Sequence, residues 1–349
     1  MTLLDADADV LEMLEEAGLR YASDEEAGIR RRRAGRGFTY RRPDGARVAD
    51  DATIERIRAL VVPPAWTDVW ICRTRNGHIQ ATGRDARGRK QYRYHDEWRR
   101  VRDEAKFGDL AAFGESLPEV RRTVESDLAR RGLPAEKVVA LVIALMDRTL
   151  IRVGNDAYAR ENGSYGLTTM LTKHVALDGA TLQFHFTAKG GIEQEIELTD
   201  RRLAAAVRRC HELGGREVFT YLGDDGQPHR VDSGDCNAYL RAIAGEATTV
   251  KTFRTWGGSA AALDHLANQL INQEGEPTEQ VVVEAVDAAA ERLGNTRAVA
   301  RRAYVHPAVI DAYLDGSLAD AWASARRSDA MTRAERALIR VLAPPASTG

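Results

Sequence analysis

The sequence predicts an α+β protein: a small β-rich N-terminal domain, residues 1–102, and a larger, mainly α-helical domain, residues 103–349, with a small β-sheet of its own. Three observations predict it. A chain of 349 residues exceeds what one small core can organise. Two turn-punctuated alternating stretches, "GFTYRRPDGARV" and "VWICRTRNGHIQATG", fall early in the chain. Beyond them helical periodicity dominates, interrupted once by a short alternating segment.

Taken in order, "MTLLDADADVLEMLEEAG" predicts a short amphipathic helix with Val10, Leu11, Met13 and Leu14 clustered on one side. "GFTYRRPDGARV" predicts a strand, a Pro-Asp-Gly turn and a second strand, and "VWICRTRNGHIQATG" a hairpin around Asn76-Gly77. Between them "DATIERIRALV" is helical and is stopped by Pro63-Pro64, since proline lacks the amide proton that a helix interior needs. "HDEWRRVRDEAKF" is a helix leading out of this domain. Next, "PAEKVVALVIALMDRTLIRVG" is the most apolar helix and is expected to stop at Gly154. "KHVALDGATLQFHFTAKGGIEQEIEL" forms the small β element, with turns at Asp178-Gly179 and Gly190-Gly191. Helices resume with "DRRLAAAVRRCHEL", "SGDCNAYLRAIAG", "SAAALDHLANQL", "TEQVVVEAVDAAAERLG" and "GNTRAVARRAY". The tail "LAPPASTG" is expected to be disordered.

Composition bounds the function. With 44% hydrophobic and 29% charged residues the chain is an ordinary globular protein. No apolar run approaches the roughly 20 residues of a membrane span, and the acidic N-terminus is unlike a signal peptide, which predicts a cytoplasmic protein. Cys72, Cys210 and Cys236 are widely spaced and make no zinc framework, and the eight histidines include no HExxH pattern. No metal or cofactor is expected.

The net charge of −2 conceals segregation. Residues 1–27 hold nine acids against Arg20 alone, whereas residues 28–47 hold eight arginines against Asp44 alone. Residues 73–102 hold ten bases against Asp85, Asp96 and Glu97. Local fields of this kind steer a polyanion, so nucleic acid is a candidate partner, beside the plainer reading of a solvated charged surface.

The glycine spacing of "GRDARGRK" resembles a phosphate-binding loop but lacks the Gly-Lys-[Ser/Thr] ending and does not open a helix. Chemistry would therefore rest on side chains. Phosphoryl transfer without a metal requires a nucleophile, cationic clamps and an acid for the leaving oxygen. Arg152 in "LIRVGN", Lys189 in "TAKGGI", Lys251 and Arg254 in "VKTFRTWGG", and Asn295 and Tyr304 in "GNTRAVARRAY" are candidates. The plainer readings are structural: Arg152 could satisfy helix C-terminal carbonyls, Lys189 could be an exposed turn residue, Arg254 could pair with a carboxylate, and Tyr304 could be a core aromatic.

"LIRVGNDAYARENGSYGLTTMLTKHV", "VKTFRTWGG" and "LGNTRAVARRAYVHP", in that order, resemble the signature blocks of type IB DNA topoisomerases, in the compact poxvirus-like and bacterial branch. "GRKQYRYHDEW" resembles that branch's DNA-reading segment, and the likeness spans from about residue 30 to about residue 315. The resemblance implies a monomer whose two domains clamp double-stranded DNA, and an activity that relaxes supercoils without ATP or metal. It implies a tyrosine that forms a 3′-phosphotyrosine and frees a 5′-hydroxyl strand, which swivels and is resealed. By motif, Tyr304 would be the nucleophile, Arg152 and Arg254 the phosphate clamps, and Lys189 the proton donor to the leaving oxygen. Lys251 and Tyr158 match positions near the phosphate and DNA backbone, and Gln91, Tyr92 and Tyr94 the segment that enters the major groove. A bacterial enzyme acting on the nucleoid is the implied setting.

Asn295 departs from the pattern, because family members usually carry histidine there. Asparagine keeps an NH2 donor but cannot carry charge or transfer a proton at neutral pH. Two alternatives share these features: a tyrosine recombinase, which usually has His-x-x-Arg where this chain has Lys251-x-x-Arg254, and a catalytically silent DNA-binding protein.

Overall fold

The computed structural model describes residues 8–35, 37–272 and 277–343, and the chain divides into two compact units, Met1–Lys106 and Phe107–Gly349. Arg36 of the arginine run and the tail from residue 344 onward lie outside the described residues.

The first unit runs α1 (Ala8–Glu16), β1 (Ile29–Ala34), β2 (Gly37–Arg41), α2 (Asp51–Ala59), β3 (Thr67–Ile71), β4 (Ile79–Arg84) and β5 (Lys90–Tyr94), and α3 (Asp96–Gly108) leads out of it. The strands form one antiparallel sheet in the order β2-β1-β3-β4-β5. Asp50 caps α2 by accepting from the Thr53 amide, and Ile57 packs with Ile29, Val48, Val69, Ile71 and Ala81 in this unit's core.

One expectation fails here. "GFTYRRPDGARV" supplies a single strand, since Arg47 makes only an isolated bridge to Arg41, and the partner of β2 is the arginine run itself. Four consecutive arginines become a strand because they are not equivalent. Ile29 is buried at the start, and Arg31 turns inward to donate to the carbonyls of Val62, Pro63 and Trp66 at 3.2, 3.0 and 2.6 Å. Its guanidinium lies 4.1 Å from the Phe38 ring centroid, so Arg31 fills the position an apolar residue would take.

The second unit contains α4 (Leu110–Leu128), α5 (Ala135–Thr149), α6 (Asp156–Asn162), β6 (Val175–Asp178), β7 (Thr181–Ala188), β8 (Ile192–Thr199), α7 (Arg201–Leu213), β9 (Thr220–Leu222), β10 (Pro228–Arg230) and α8 (Ser233–Ala244). It continues with α9 (Val250–Asn272), α10 (Glu279–Leu293), α11 (Arg297–Ala303), α12 (Pro307–Leu314), α13 (Leu318–Ser324) and α14 (Arg333–Leu342). β6, β7 and β8 form an antiparallel meander through the two predicted turns. The apolar α5 is buried on nearly every side, as its composition requires. Arg121 on α4 pairs with Asp147 on α5 at 2.8 Å and Glu335 on α14 at 2.7 Å, and Glu335 also accepts from the Trp256 indole at 3.2 Å. The last helix is thereby fixed to the helix that carries Arg254.

Two boundaries differ from expectation, and both shape the site. α5 ends at Thr149 instead of Gly154, with Leu150 in the left-handed region at φ 56°. α9 begins at Val250 instead of near Ser259, so Arg254, Gly257 and Gly258 all lie inside it. Glycine lowers helix propensity by about 1 kcal/mol, which makes a Gly-Gly pair look like a boundary. Here both lack a side chain because neighbours occupy the space: a Cβ at Gly257 would lie 2.5 Å from the Leu150 side chain, and one at Gly258 would lie 3.1 Å from the Tyr304 Cβ. No helix of the described residues is long and apolar enough to cross a membrane.

Candidate active site

Arg254 organises the site. It is 4% exposed, its two terminal nitrogens donate to the main-chain carbonyls of Leu150 and, at 2.9 Å, Leu293, and its Cζ lies 5.0 Å from the Tyr304 ring centroid. Leu150 and Leu293 end α5 and α10, so one guanidinium satisfies carbonyls at two helix termini and faces the phenol as well. Burial, reinforced by the nearby Arg152 charge, pulls its pKa down to about 10, so it stays charged at neutral pH.

Tyr304 follows the last turn of α11 and is half-buried, with its ring against the cluster of Leu150, Val286, Ala290, Leu293 and Ala300. Burial alone would raise its pKa. The charges of Arg254, then Arg152 and Lys251, outweigh burial and hold the phenol below its ordinary value. A core aromatic needs no such cationic surroundings.

Arg152 lies three residues beyond the end of α5 and does not cap that helix. Its backbone is pinned where Leu167 N donates to Arg152 O at 2.9 Å and Thr168 N to Val153 O at 2.7 Å. Its Nη2 donates to Asn295 Oδ1 at 2.6 Å. That bond orients the amide, because the oxygen accepts from Arg152 and the NH2 is left to donate. Asn295 Nδ2 and Arg254 Nε are both buried without a hydrogen-bond partner in the protein. Unpaired buried donors are uncommon and costly, on the order of 1–3 kcal/mol each. Both lie on residues tied to Arg152 or facing Tyr304, and each is a donor that an oxyanion can satisfy.

Lys189 follows β7 directly, at the turn where Gly191 N donates to Ala188 O at 3.1 Å and both Gly190 and Gly191 have positive φ. Ala188, the residue before it, lines a small cavity together with Arg152, Arg254, Arg292 and Gln194, so the hairpin is rooted at the site. Lys251 sits one turn before Arg254 on α9 and adds to the field on Tyr304. Tyr158 falls in α6, and its side chain lies outside the described residues.

Sequence reading missed three supporting parts. Gln194 on β8 packs so closely on Gly294 that a Cβ there would lie 2.1 Å from its Oε1, at a glycine with φ 58°. The Leu150 carbonyl is the second, and the Gly258-Ser259 step the third. Only the adjacent glycines in "TWGGS" hint at the close approach.

In the first unit Gln91, Tyr92 and Tyr94 lie on β5, an edge strand, but they do not share a face. Tyr92 and Tyr94 stack, with centroids 5.8 Å apart and planes 11° from parallel. Gln91 is turned away and donates to Asp85 at 3.0 Å. Lys90, beside Tyr92, is paired at 2.8 Å with Asp24 of the acidic N-terminal segment, and Asp24 also accepts from Thr82 Oγ1 at 3.0 Å.

Comparison with known proteins shows the family. Residues 95–327 match the family described as eukaryotic DNA topoisomerase I, catalytic core, and residues 37–85 match the bacterial DNA topoisomerase IB N-terminal domain. The DNA topoisomerase 1B of Acanthamoeba polyphaga mimivirus is 29% identical over 293 residues, covering 82% of this chain and 87% of that protein. The DNA topoisomerase 1 of rabbit fibroma virus is 20% identical over 294 residues, 79% of this chain and 89% of that protein. The DNA topoisomerase 1B of vaccinia virus (strain Copenhagen) is 19% identical over 241 residues, 68% and 73% of the two chains. With more than half its length matched by the catalytic-core family and its N-terminal unit by the bacterial one, the chain belongs to the type IB DNA topoisomerases.

Proposed function

We propose that this enzyme relaxes supercoiled duplex DNA by cutting and resealing one strand through Tyr304, acting as a monomer that grips the duplex. The Tyr304 oxygen attacks a backbone phosphorus, forming a 3′-phosphotyrosyl bond as the bond to the 5′-oxygen breaks. The phenol proton passes to solvent, and Lys189 gives a proton to the departing oxygen, so an alcohol leaves and not an alkoxide. The freed strand rotates. Its 5′-hydroxyl then returns its proton to Lys189 and displaces Tyr304. Guanidiniums carry the charge stabilisation at the phosphorus, and the phosphotyrosyl bond conserves the phosphodiester's energy, so the cycle requires neither metal nor nucleotide.

The observation that carries this reading is the meeting of Arg152, Arg254, Asn295 and Tyr304 from three chain segments, with two buried donors left unpaired. The test is relaxation of a supercoiled plasmid in chelator, without nucleotide, at low protein concentration, with trapping of a covalent protein–DNA species. A ladder of relaxed topoisomers is expected. Absence of both relaxation and adduct at every salt concentration overturns the proposal, and products that require paired sites indicate a recombinase.

Asn295→Ala is expected to slow single-turnover cleavage about 10²-fold, the scale of losing one oxyanion donor, whereas Asn295→His stays active because an imidazole N–H can take the amide's place. Cleavage by the alanine variant at the parental rate would remove Asn295 from the site.

A second expectation concerns Lys90, which Asp24 neutralises in the absence of DNA. Asp24→Asn keeps an oxygen for Thr82 and frees the lysine for phosphate. DNA affinity at low salt should rise, and the slope of log affinity against log salt should steepen by about one unit, the effect of one additional phosphate contact. An unchanged slope would show that Lys90 meets no phosphate.

A further inference from the structure

We propose that Ser259, with Gly258 beside it, is a positioning residue for the nucleophile: it fixes the main chain of Tyr304 so that the phenol faces Arg254. Ser259 is wholly buried, yet its hydroxyl serves none of the usual ends of a buried helical serine. Its Oγ donates to the Tyr304 carbonyl at 3.0 Å and accepts from the His306 amide at 2.9 Å. These two groups flank the link between α11 and α12, in which neither helix ladder reaches the Tyr304 carbonyl. The Tyr304 amide is already tied to Ala300 O at 2.9 Å, so Ser259 completes the hold on the nucleophile's own peptide units.

Gly258 makes the hold possible. A Cβ there would stand 3.0 Å from the Tyr304 carbonyl oxygen, 3.1 Å from its Cβ and 2.9 Å from Leu293 Cδ1, so the α9 backbone meets the tyrosine directly. Lys251, Arg254 and Gly258 recur at the spacing of one helical stripe, and Ser259 follows at once. A single helix therefore carries two of the charges that act on the phenol, Lys251 and Arg254, and the grip on the residue that bears it. The geometry of an in-line attack depends on that separation, and an error near 1 Å can cost about 10²-fold in rate.

The inference rests on Tyr304 being the nucleophile. The experiment measures, for Ser259→Ala, single-turnover cleavage, resealing, non-covalent DNA affinity, thermal stability and the pH dependence of cleavage. Cleavage and resealing are expected to slow in parallel by about 10- to 100-fold, with DNA affinity within about twofold of parental. The pH at which cleavage levels off should move upward, because a tyrosine that drifts from Arg254 loses the charge that lowers it; a purely structural serine would leave that profile in place. Ser259→Cys, of similar size and with a weak donor, should lie between the two, and it carries the same test if the alanine variant does not fold. Gly258→Ala, which keeps the hydroxyl but pushes on Tyr304, should also slow cleavage without weakening DNA binding. Cleavage at the parental rate and with the parental pH profile in folded Ser259→Ala overturns the inference. If the parental enzyme itself forms no Tyr304-linked adduct, it is the proposed function that falls.

Discussion

Replacing Tyr304 with phenylalanine is expected to abolish both the covalent DNA adduct and plasmid relaxation, with a rate loss on the order of 10⁶-fold, the scale seen when a nucleophile is removed. The variant should fold, because the ring and its packing against Leu150, Val286, Ala290, Leu293 and Ala300 remain. It should bind DNA as tightly as the parental protein, since the cationic residues are untouched. A gel assay for protein-linked DNA, with filter binding on the same preparation, separates the two effects. Residual adduct in Tyr304→Phe would mean that another side chain attacks. The parental enzyme has a further signature: with burial outweighed by Arg254, Arg152 and Lys251, the phenol ionises below its ordinary range. On the proposed mechanism the ionised phenol attacks, so single-turnover cleavage should rise with pH and level off below the value near 10 of an ordinary tyrosine.

Arg254→Lys is the second large effect, despite conserving charge. The guanidinium makes two divergent bonds, to Leu150 O and Leu293 O, while facing Tyr304, and its buried Nε has no hydrogen-bond partner in the protein. An ammonium on a flexible stem cannot hold both carbonyls and a phosphate at once. Cleavage should fall by about 10²- to 10³-fold, as expected for losing an oxyanion clamp. Stability should fall as well, by about 1–3 kcal/mol for each buried carbonyl left without its donor. Thermal melting and cleavage measured together distinguish the contributions. Parental activity in a destabilised Arg254→Lys would make Arg254 a structural tie between helix ends and not a phosphate ligand.

Much of this protein was legible in its sequence where the physics is local. Asp178-Gly179 and Gly190-Gly191 bend the meander because glycine tolerates positive φ, and the continuous apolar run of α5 had to be buried. The family was identifiable from motif resemblance, and the structure brings together three of the residues that resemblance names, Arg152, Arg254 and Tyr304. Where local rules misled, a distant residue had overridden them. Arg31 is turned inward because three carbonyls and Phe38 receive it, and α5 stops at Thr149, where Arg254 and Gly257 hold the Leu150 turn.

The sequence by itself determined the two-part α+β composition, most of the helices and turns, and which residue types are offered for phosphoryl transfer. Only the tertiary structure decided what those residues do to one another. Arg152 and Asn295 are 143 positions apart in the chain, yet one hydrogen bond sets the direction of the amide. The phenol of Tyr304 is lowered by charges from α9 and from the loop after α5, and its backbone is gripped by a serine 45 positions earlier. The reason is range. Capping, turn conformation and periodicity act within a few residues, whereas orientation, desolvation and charge coupling depend on distance in space, which only the packed chain defines.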